Sequence, residues 1–444
     1  MIDPQTRLGR NALWMILSRF GAQGLAVVFT VLMARRLGSA GFGEYAFIAT
    51  VIFVANALTT FGTDMLLIRE IAANGGLSRL PSALVVQLGL SGLFIAALWI
   101  FSPWIPNQSL ETITALKIYS LALIPLAFFT VFTTALRGVQ RMDVYSLLNL
   151  IVSVLQVGML LSPKIGIVTL SVLLLSVQTL AALFAGLFCS RTLSHFWQSW
   201  RFPSASLSSF LKEAAPIAFL TFVMMLYQRL NVGMLSIMLG ATATGIFSAA
   251  FRVVEASKTA HLAIFAALYP AMASDMSLRA FGKPSSIQWG KRYAEIFPFN
   301  WGLLRNPQSF SMTYFVLLLA GGALISGLLF VFANPLVPLL YGNEFKASAG
   351  VLRILSWTLI PFTINTYLTL SFLASKMERL VGRALTVSLL GLWVLNLWWI
   401  PARGPEGGAW AALVAECIQS AFLLAGVRSR APVQGEAHEL SELS

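Results

Sequence analysis

Charge is what this chain has least of. Only 11% of its 444 residues are Asp, Glu, Lys or Arg, against about 25% for a typical soluble domain. Acidic residues are the scarcer kind, 17 against 30 Lys and Arg, for a formal net charge of +13. Cysteine is almost absent. Cys189 and Cys417 alone make no disulfide framework and no thiolate metal site, and each reads as a small apolar residue in or beside an apolar stretch. There is no glycine-rich phosphate loop, no metal-ligand cluster and no nucleophile–base pair, so neither ATP-driven nor hydrolytic chemistry finds support, and no cofactor is expected. The basic excess is spread between apolar runs rather than gathered on one face, which argues against a nucleic-acid partner.

What is present is apolar. Hydrophobic residues make up 57% of the chain. A spanning helix needs about 20 of them in a row. Twelve such runs can be drawn: 11–34, 43–66, 81–101, 113–136, 143–162 and 165–189, then 213–239, 243–272, 311–333, 350–374, 380–400 and 408–427. The fold expected is an all-α polytopic membrane protein of about twelve transmembrane helices in two pseudo-symmetric six-helix bundles around a central cavity. Its bounds are 1–189 for the first bundle, 190–212 for a cytoplasmic linker, 213–427 for the second bundle and 428–444 for a disordered tail. The first run is too long for a signal-peptide core and contains Arg19, so it reads as a retained span. Pro125, Pro216 and Pro361 fall inside runs and are expected to kink them.

With the N-terminus inside, 19 Lys and Arg lie in inside segments, 5 in outside segments and 6 within spans. That bias places both termini in the cytoplasm. The outside segments are short, the longest being Asn334 to Ala349, too small for an outer catalytic domain. The long inside segment near 273–310 carries Trp289, Lys291, Arg292, Trp301 and Arg305. It reads either as an amphipathic piece on the inner leaflet or as a solvated loop.

The halves repeat weakly. Leu37-Gly38 with Gly43, Tyr45 and Ala46 recurs at an offset of 202 as Leu239-Gly240 with Gly245, Phe247 and Ser248. Pro163-Lys164-Ile165-Gly166 recurs at 238 as Pro401-Ala402-Arg403-Gly404, and Arg141 and Arg379 keep that offset. Six spans per half give both halves one orientation, a parallel repeat with its axis along the membrane normal and a site between the halves.

The charges inside the spans mark that site. Arg252, Glu255 and Lys258 sit three residues apart in an apolar stretch and share one broad helix face. Each charge at the bilayer centre costs roughly 2.5–3.5 kcal/mol, so all three must face protein or water. With Arg19 and Arg229 they outline a cationic cavity suited to an anion; a structural charge cluster is the other reading. Glu255, Asp64 and Glu416 are candidates for ion coupling. His261, one step further along the same face, reads as a satisfied polar residue or a proton relay. Gln23, Asn56, Gln228 and Asn231 could bond sugar hydroxyls or hold helices together.

Several motifs resemble one family in their order and spacing. The first hairpin reads Met33-Ala34-Arg35-Arg36-Leu37-Gly38, then Gly41-Phe42-Gly43-Glu44-Tyr45. Phe61-Gly62-Thr63-Asp64 with Arg69-Glu70 follows. The second half opens with Lys212-Glu213-Ala214-Ala215-Pro216 and continues through Gly245-Ile246-Phe247-Ser248-Ala249-Ala250-Phe251-Arg252. Leu340-Tyr341-Gly342, Pro401 with Gly404 and Gly407-Gly408-Ala409-Trp410, and Glu416 complete the pattern. These resemble the bacterial oligosaccharide flippases of O-antigen and exopolysaccharide export, in the superfamily of multidrug and oligosaccharidyl-lipid exporters.

The resemblance implies a flippase, not an enzyme. It would move an undecaprenyl-pyrophosphate-linked oligosaccharide from the inner to the outer leaflet of the bacterial cytoplasmic membrane by alternating access. It implies cavity-facing basic residues, for which Arg19, Arg229, Arg252 and Lys258 are placed; with Gln23 and Glu255, read from the sequence itself, these make the expected substrate-binding set. Its expected partners are the lipid-linked oligosaccharide and membrane lipids, with H+ or Na+ as candidate coupling ion and a polysaccharide polymerase as candidate neighbour. The alternatives are a cation-coupled exporter of drugs or metabolites on the same fold, which the basic spans disfavour, and a membrane polymerase or ligase, which the short outer loops disfavour.

Overall fold

The computed structural model describes residues 4–161, 166–193, 207–280, 310–374 and 377–428; the side chains of 4–20, 260, 262–280, 310–314, 373–374 and 427–428 are not described. Described elements are helical throughout: α1 (Pro4–Thr60), α2 (Thr63–Asn74), α3 (Leu80–Phe101), α4 (Leu110–Ser120), α5 (Leu123–Gly138), α6 (Met142–Met159) and α7 (Ile167–Thr192) in the first half. The second half holds α8 (Leu207–Leu239), α9 (Ala241–Ala280), α10 (Phe310–Tyr341), α11 (Ser348–Ser356), α12 (Leu359–Ala374) and α13 (Glu378–Arg428). Among the described residues, eight helices are long and apolar enough to cross a membrane. Two of these, α1 and α13, are broken at Gly38 and Gly404, whose positive φ values of 67° and 62° turn the chain back. Each therefore carries two crossings. With α9 and the broken pair α11–α12 the total is the expected twelve.

The breaks revise several expected bounds. The second crossing stops at Thr60 rather than running to 66. Phe61 and Gly62 both take positive φ there, and α2 starts afresh at Thr63. The crossings drawn as 113–136 and 350–374 are each two helices, so Pro125 and Pro361 lie in the first turn of α5 and α12 instead of kinking a continuous helix. Pro216 does sit inside α8. The segment drawn as an outside loop from Asn334 is helical to Tyr341.

Residues of the two offset-202 matches meet on a pseudo-two-fold axis. A Cβ on Gly43 would collide with the carbonyl of Ala241, and one on Gly245 with the carbonyl of Ser39. The contacts are reciprocal, since 39 and 241 also differ by 202. Glycine at both positions lets α1 and α9 approach backbone to backbone.

A third internal match runs at an offset of 236. Lys117-Ile118-Tyr119-Ser120-Leu121-Ala122-Leu123-Ile124-Pro125 pairs with Arg353-Ile354-Leu355-Ser356-Trp357-Thr358-Leu359-Ile360-Pro361. In both copies the Ser hydroxyl donates to the carbonyl three residues back, Lys117 at 2.6 Å and Arg353 at 2.8 Å. The helix ends there and a new one begins after two intervening residues.

The buried apolar residues show where the halves join. One core, containing Met33, Phe42, Phe247 and Phe345, draws on both halves at the end of the molecule marked by Gly38, Gly240 and Gly404. Toward the opposite end the cores are separate. Ile71, Leu84, Phe132 and Leu148 pack in one, which Phe210 at the start of α8 joins, and Val223, Leu368, Phe372 and Leu385 in the other. At the shared end two clasps cross between halves. Arg35 donates to the carbonyls of Leu339 and Leu340, while Glu344 accepts the Ser39 N–H at 3.2 Å. Reciprocally, Asn107 donates to the Ile237 carbonyl at 2.7 Å and Gln108 to that of Ser236 at 3.1 Å. At the opposite end Arg79 bridges Glu70 at 3.1 Å and Glu213 at 2.9 Å.

Candidate functional site

The intramembrane charges gather just where the shared core gives way to separate ones. Arg229 lies 11 residues before Gly240 on α8, and Arg252 lies 12 after it on α9. At 1.5 Å per residue both stand roughly 16–18 Å from the Gly240 end, about half-way through a hydrocarbon core of ~30 Å. Glu255 accepts from both, from Arg229 Nη2 at 3.0 Å and Arg252 Nη1 at 2.9 Å. Arg229 is only 8% exposed, and its Nε is buried with no acceptor. Its guanidinium lies over the ring of Phe53 at 4.6 Å. Phe53 is on the second arm of α1, so a cation of the second half is seated on an aromatic face of the first.

A second pair lies one turn along α9. Lys258 Nζ meets Glu416 Oε1 at 2.8 Å, and its ammonium sits 4.6 Å from the centre of the Phe362 ring. Asn365 of α12 donates to Glu416 Oε2 at 2.9 Å, and the Ser420 hydroxyl donates to Asn365 Oδ1 at 2.8 Å. Glu416 and Asn365 are 7% and 4% exposed. A carboxylate so deep is held by a cation and an amide, which is what makes its burial tolerable.

The cluster unites Arg229, Arg252, Glu255, Lys258 and Glu416: three cations against two carboxylates, a formal +1. Glu255 balances the two arginines, while Lys258 finds its carboxylate on α13 rather than on its own helix. Asp64 is not brought in. It stands in the first turn of α2, half-buried, with no ion pair among the described residues. Gln23 is half-buried on the first arm of α1, and among the described residues no hydrogen bond joins it to the cluster. The Arg19 side chain lies outside the described residues. His261 bonds Thr363 through Nε2 at 3.1 Å and is buried, a satisfied polar residue. Asn231 accepts from Asn396 at 2.6 Å, an interhelix bond. Phe53, Phe362, Asn365 and Ser420 escaped the sequence reading. Only Asn365, a lone amide in the apolar run of α12, left a signal there.

The sequence matches the family described as polysaccharide biosynthesis protein over residues 8–276. The chain belongs to that family. No curated protein matches the sequence. Solved structures share the fold at low identity. A lipid II flippase, MurJ, in an inward closed conformation superposes with a TM-score of 0.69 at 16% identity, covering 94% of this chain and 87% of that one. An inward-facing multidrug resistance MATE transporter of the MOP superfamily gives 0.65 at 14%, covering 93% and 98%. A MOP superfamily transporter from Pyrococcus furiosus gives 0.65 at 14%, covering 97% and 96%. The chain is thus a multi-pass membrane protein with the fold of this transporter superfamily.

Proposed function

We propose that this protein flips an undecaprenyl-pyrophosphate-linked oligosaccharide from the inner to the outer leaflet of a bacterial cytoplasmic membrane, by alternating access of two bundles, 1–189 and 213–427. The observation that carries the proposal is the cluster of Arg229, Arg252 and Lys258 with Glu255 and Glu416, net positive and half-way through the bilayer. The family match supports the pathway class.

Arg252 is the group that meets the pyrophosphate first. Its side chain is 31% exposed, and its one carboxylate is shared with Arg229. An incoming diphosphate takes over the guanidinium forks, which suit two parallel hydrogen bonds. Glu255 then keeps Arg229. Lys258 supplies a point charge one turn further toward the separated cores. With the termini cytoplasmic, the shared core and the two clasps close the outer side, and the space between the separate cores faces the cytoplasm, where the substrate is made. A pyrophosphate carries roughly two negative charges. Outward movement of each unit of negative charge, down a negative-inside potential, releases about 2.3 kcal/mol per 100 mV. That is enough to bias export with no coupling ion.

The test is a binding comparison on purified protein between the lipid-linked oligosaccharide and the same glycan on the uncharged polyprenol. Preference for the pyrophosphate form of tenfold or more, lost in Arg252→Ala, is expected. Equal binding of the two forms would refute a headgroup-reading site.

A further inference from the structure

The repeated segment at offset 236 places one basic residue at the same point of each half, Lys117 in α4 and Arg353 in α11. Neither belongs to the central cluster, and among the described residues neither has a carboxylate partner. Both stand near the Gly38 end of their crossings. Lys117 is seven residues into α4 and Arg353 five into α11, so roughly 10 Å and 8 Å from those helix starts at 1.5 Å per residue.

Both face lipid. On the Lys117 side, Leu110, Ile124 and Trp99 are broadly exposed, and the Trp99 indole donates to the Ser120 hydroxyl at 3.2 Å and to the Lys117 carbonyl at 3.3 Å. On the Arg353 side, Phe330 and Trp357 are exposed and pack on each other at 5.8 Å; the guanidinium lies 5.8 Å from the Phe330 ring. A cation in the last turn of a helix also gains from the helix dipole. That gain needs no neighbouring indole and no exposed apolar side chains around the cation. A long basic side chain about 10 Å below the membrane surface extends toward the headgroups, with an indole at the same level.

We propose that Lys117 and Arg353 form two pseudo-symmetric phosphate sites, each holding the phosphodiester of one anionic phospholipid in the leaflet at the Gly38 end. The sites are independent of the transported substrate. They anchor each bundle to that leaflet beside the break at α4–α5 and at α11–α12.

The test is native mass spectrometry of the full chain in detergent, titrated with phosphatidylglycerol. Wild type is expected to retain two tight lipids. Lys117→Gln and Arg353→Gln should each release one, with about fivefold weaker binding at the altered site, from ~1 kcal/mol per basic residue at an anionic surface. The double variant should retain neither, while the charge-preserving Lys117→Arg and Arg353→Lys and the control Lys346→Gln keep both. Unchanged binding in the double variant would overturn the proposal. So would loss in the charge-preserving variants, which would report packing rather than charge. Displacement of the lipid by millimolar inorganic phosphate would also refute it, by marking a free-anion site.

Discussion

Replacing Glu255 by Gln leaves Arg229 and Arg252 facing each other without their shared carboxylate. The size of the effect follows from burial. Removing one partner of a fully buried pair costs about 3–5 kcal/mol, whereas exposed pairs contribute about 0–1 kcal/mol. The Arg229 side chain is 10% exposed and stands near the first limit; Arg252 and Glu255, at 31% and 28%, stand between the two. A loss of roughly 2–4 kcal/mol is therefore expected for the substrate-free protein. Two further arms separate charge from packing. The triple variant Arg229→Met, Glu255→Gln, Arg252→Met should recover much of the loss, because no unpaired buried cation remains. Added pyrophosphate should stabilise Glu255→Gln more than wild type, since both guanidinium groups are then free to take it. The assay is thermal unfolding in detergent, with and without the anion. A midpoint for Glu255→Gln equal to wild type, or no differential response to pyrophosphate, would refute the reasoning.

Three other outcomes follow from particular contacts. Gly43→Ala and Gly245→Ala should each destabilise by roughly 1–3 kcal/mol or more, the range for overpacking, because the rigid carbonyls of Ala241 and Ser39 stand where the new methyls would go; unfolding midpoints check this. Lys258→Met should destabilise the protein and Lys258→Met with Glu416→Gln should be milder than either single change, a non-additivity read from a double-mutant cycle in the same unfolding assay. Arg35→Ala, which removes the bonds to the Leu339 and Leu340 carbonyls, should loosen the shared end and raise labelling of a cysteine placed there; unchanged labelling would mean that the clasp does not hold this end closed.

Crossing number was legible because a spanning helix must be apolar for its whole length. Helix breaks were not. Hydropathy is blind to the two turn residues at 121–122 and at 357–358, and the prolines that follow look the same whether they kink a helix or start one. The Leu-Ile-Pro repeat would have shown these breaks, but an offset of 236 differs from both offsets already found. The Gly43–Gly245 match was visible as a repeat, while its meaning, backbone contact on the axis, required the packed helices. At the site, a helical spacing of three tied Arg252 to Glu255 and placed Lys258 on the same face. Nothing in spacing could send Lys258 to Glu416, which is 158 residues away, or set Arg229 on Phe53. Asp64, a weaker coupling candidate because a carboxylate near the inner interface reads more readily as solvated, starts a new helix after the break at Phe61–Gly62 and has no ion pair to the cluster among the described residues.

The most direct measurement of the central claim is transbilayer movement of a fluorescent undecaprenyl-pyrophosphate oligosaccharide in proteoliposomes, followed by quenching from one side. Wild type is expected to move it, and Arg252→Ala and Lys258→Ala, shown to be folded, should lose most of that activity. No movement above protein-free vesicles by folded wild type would contradict the flippase, and equal movement by all three proteins would contradict the cationic site.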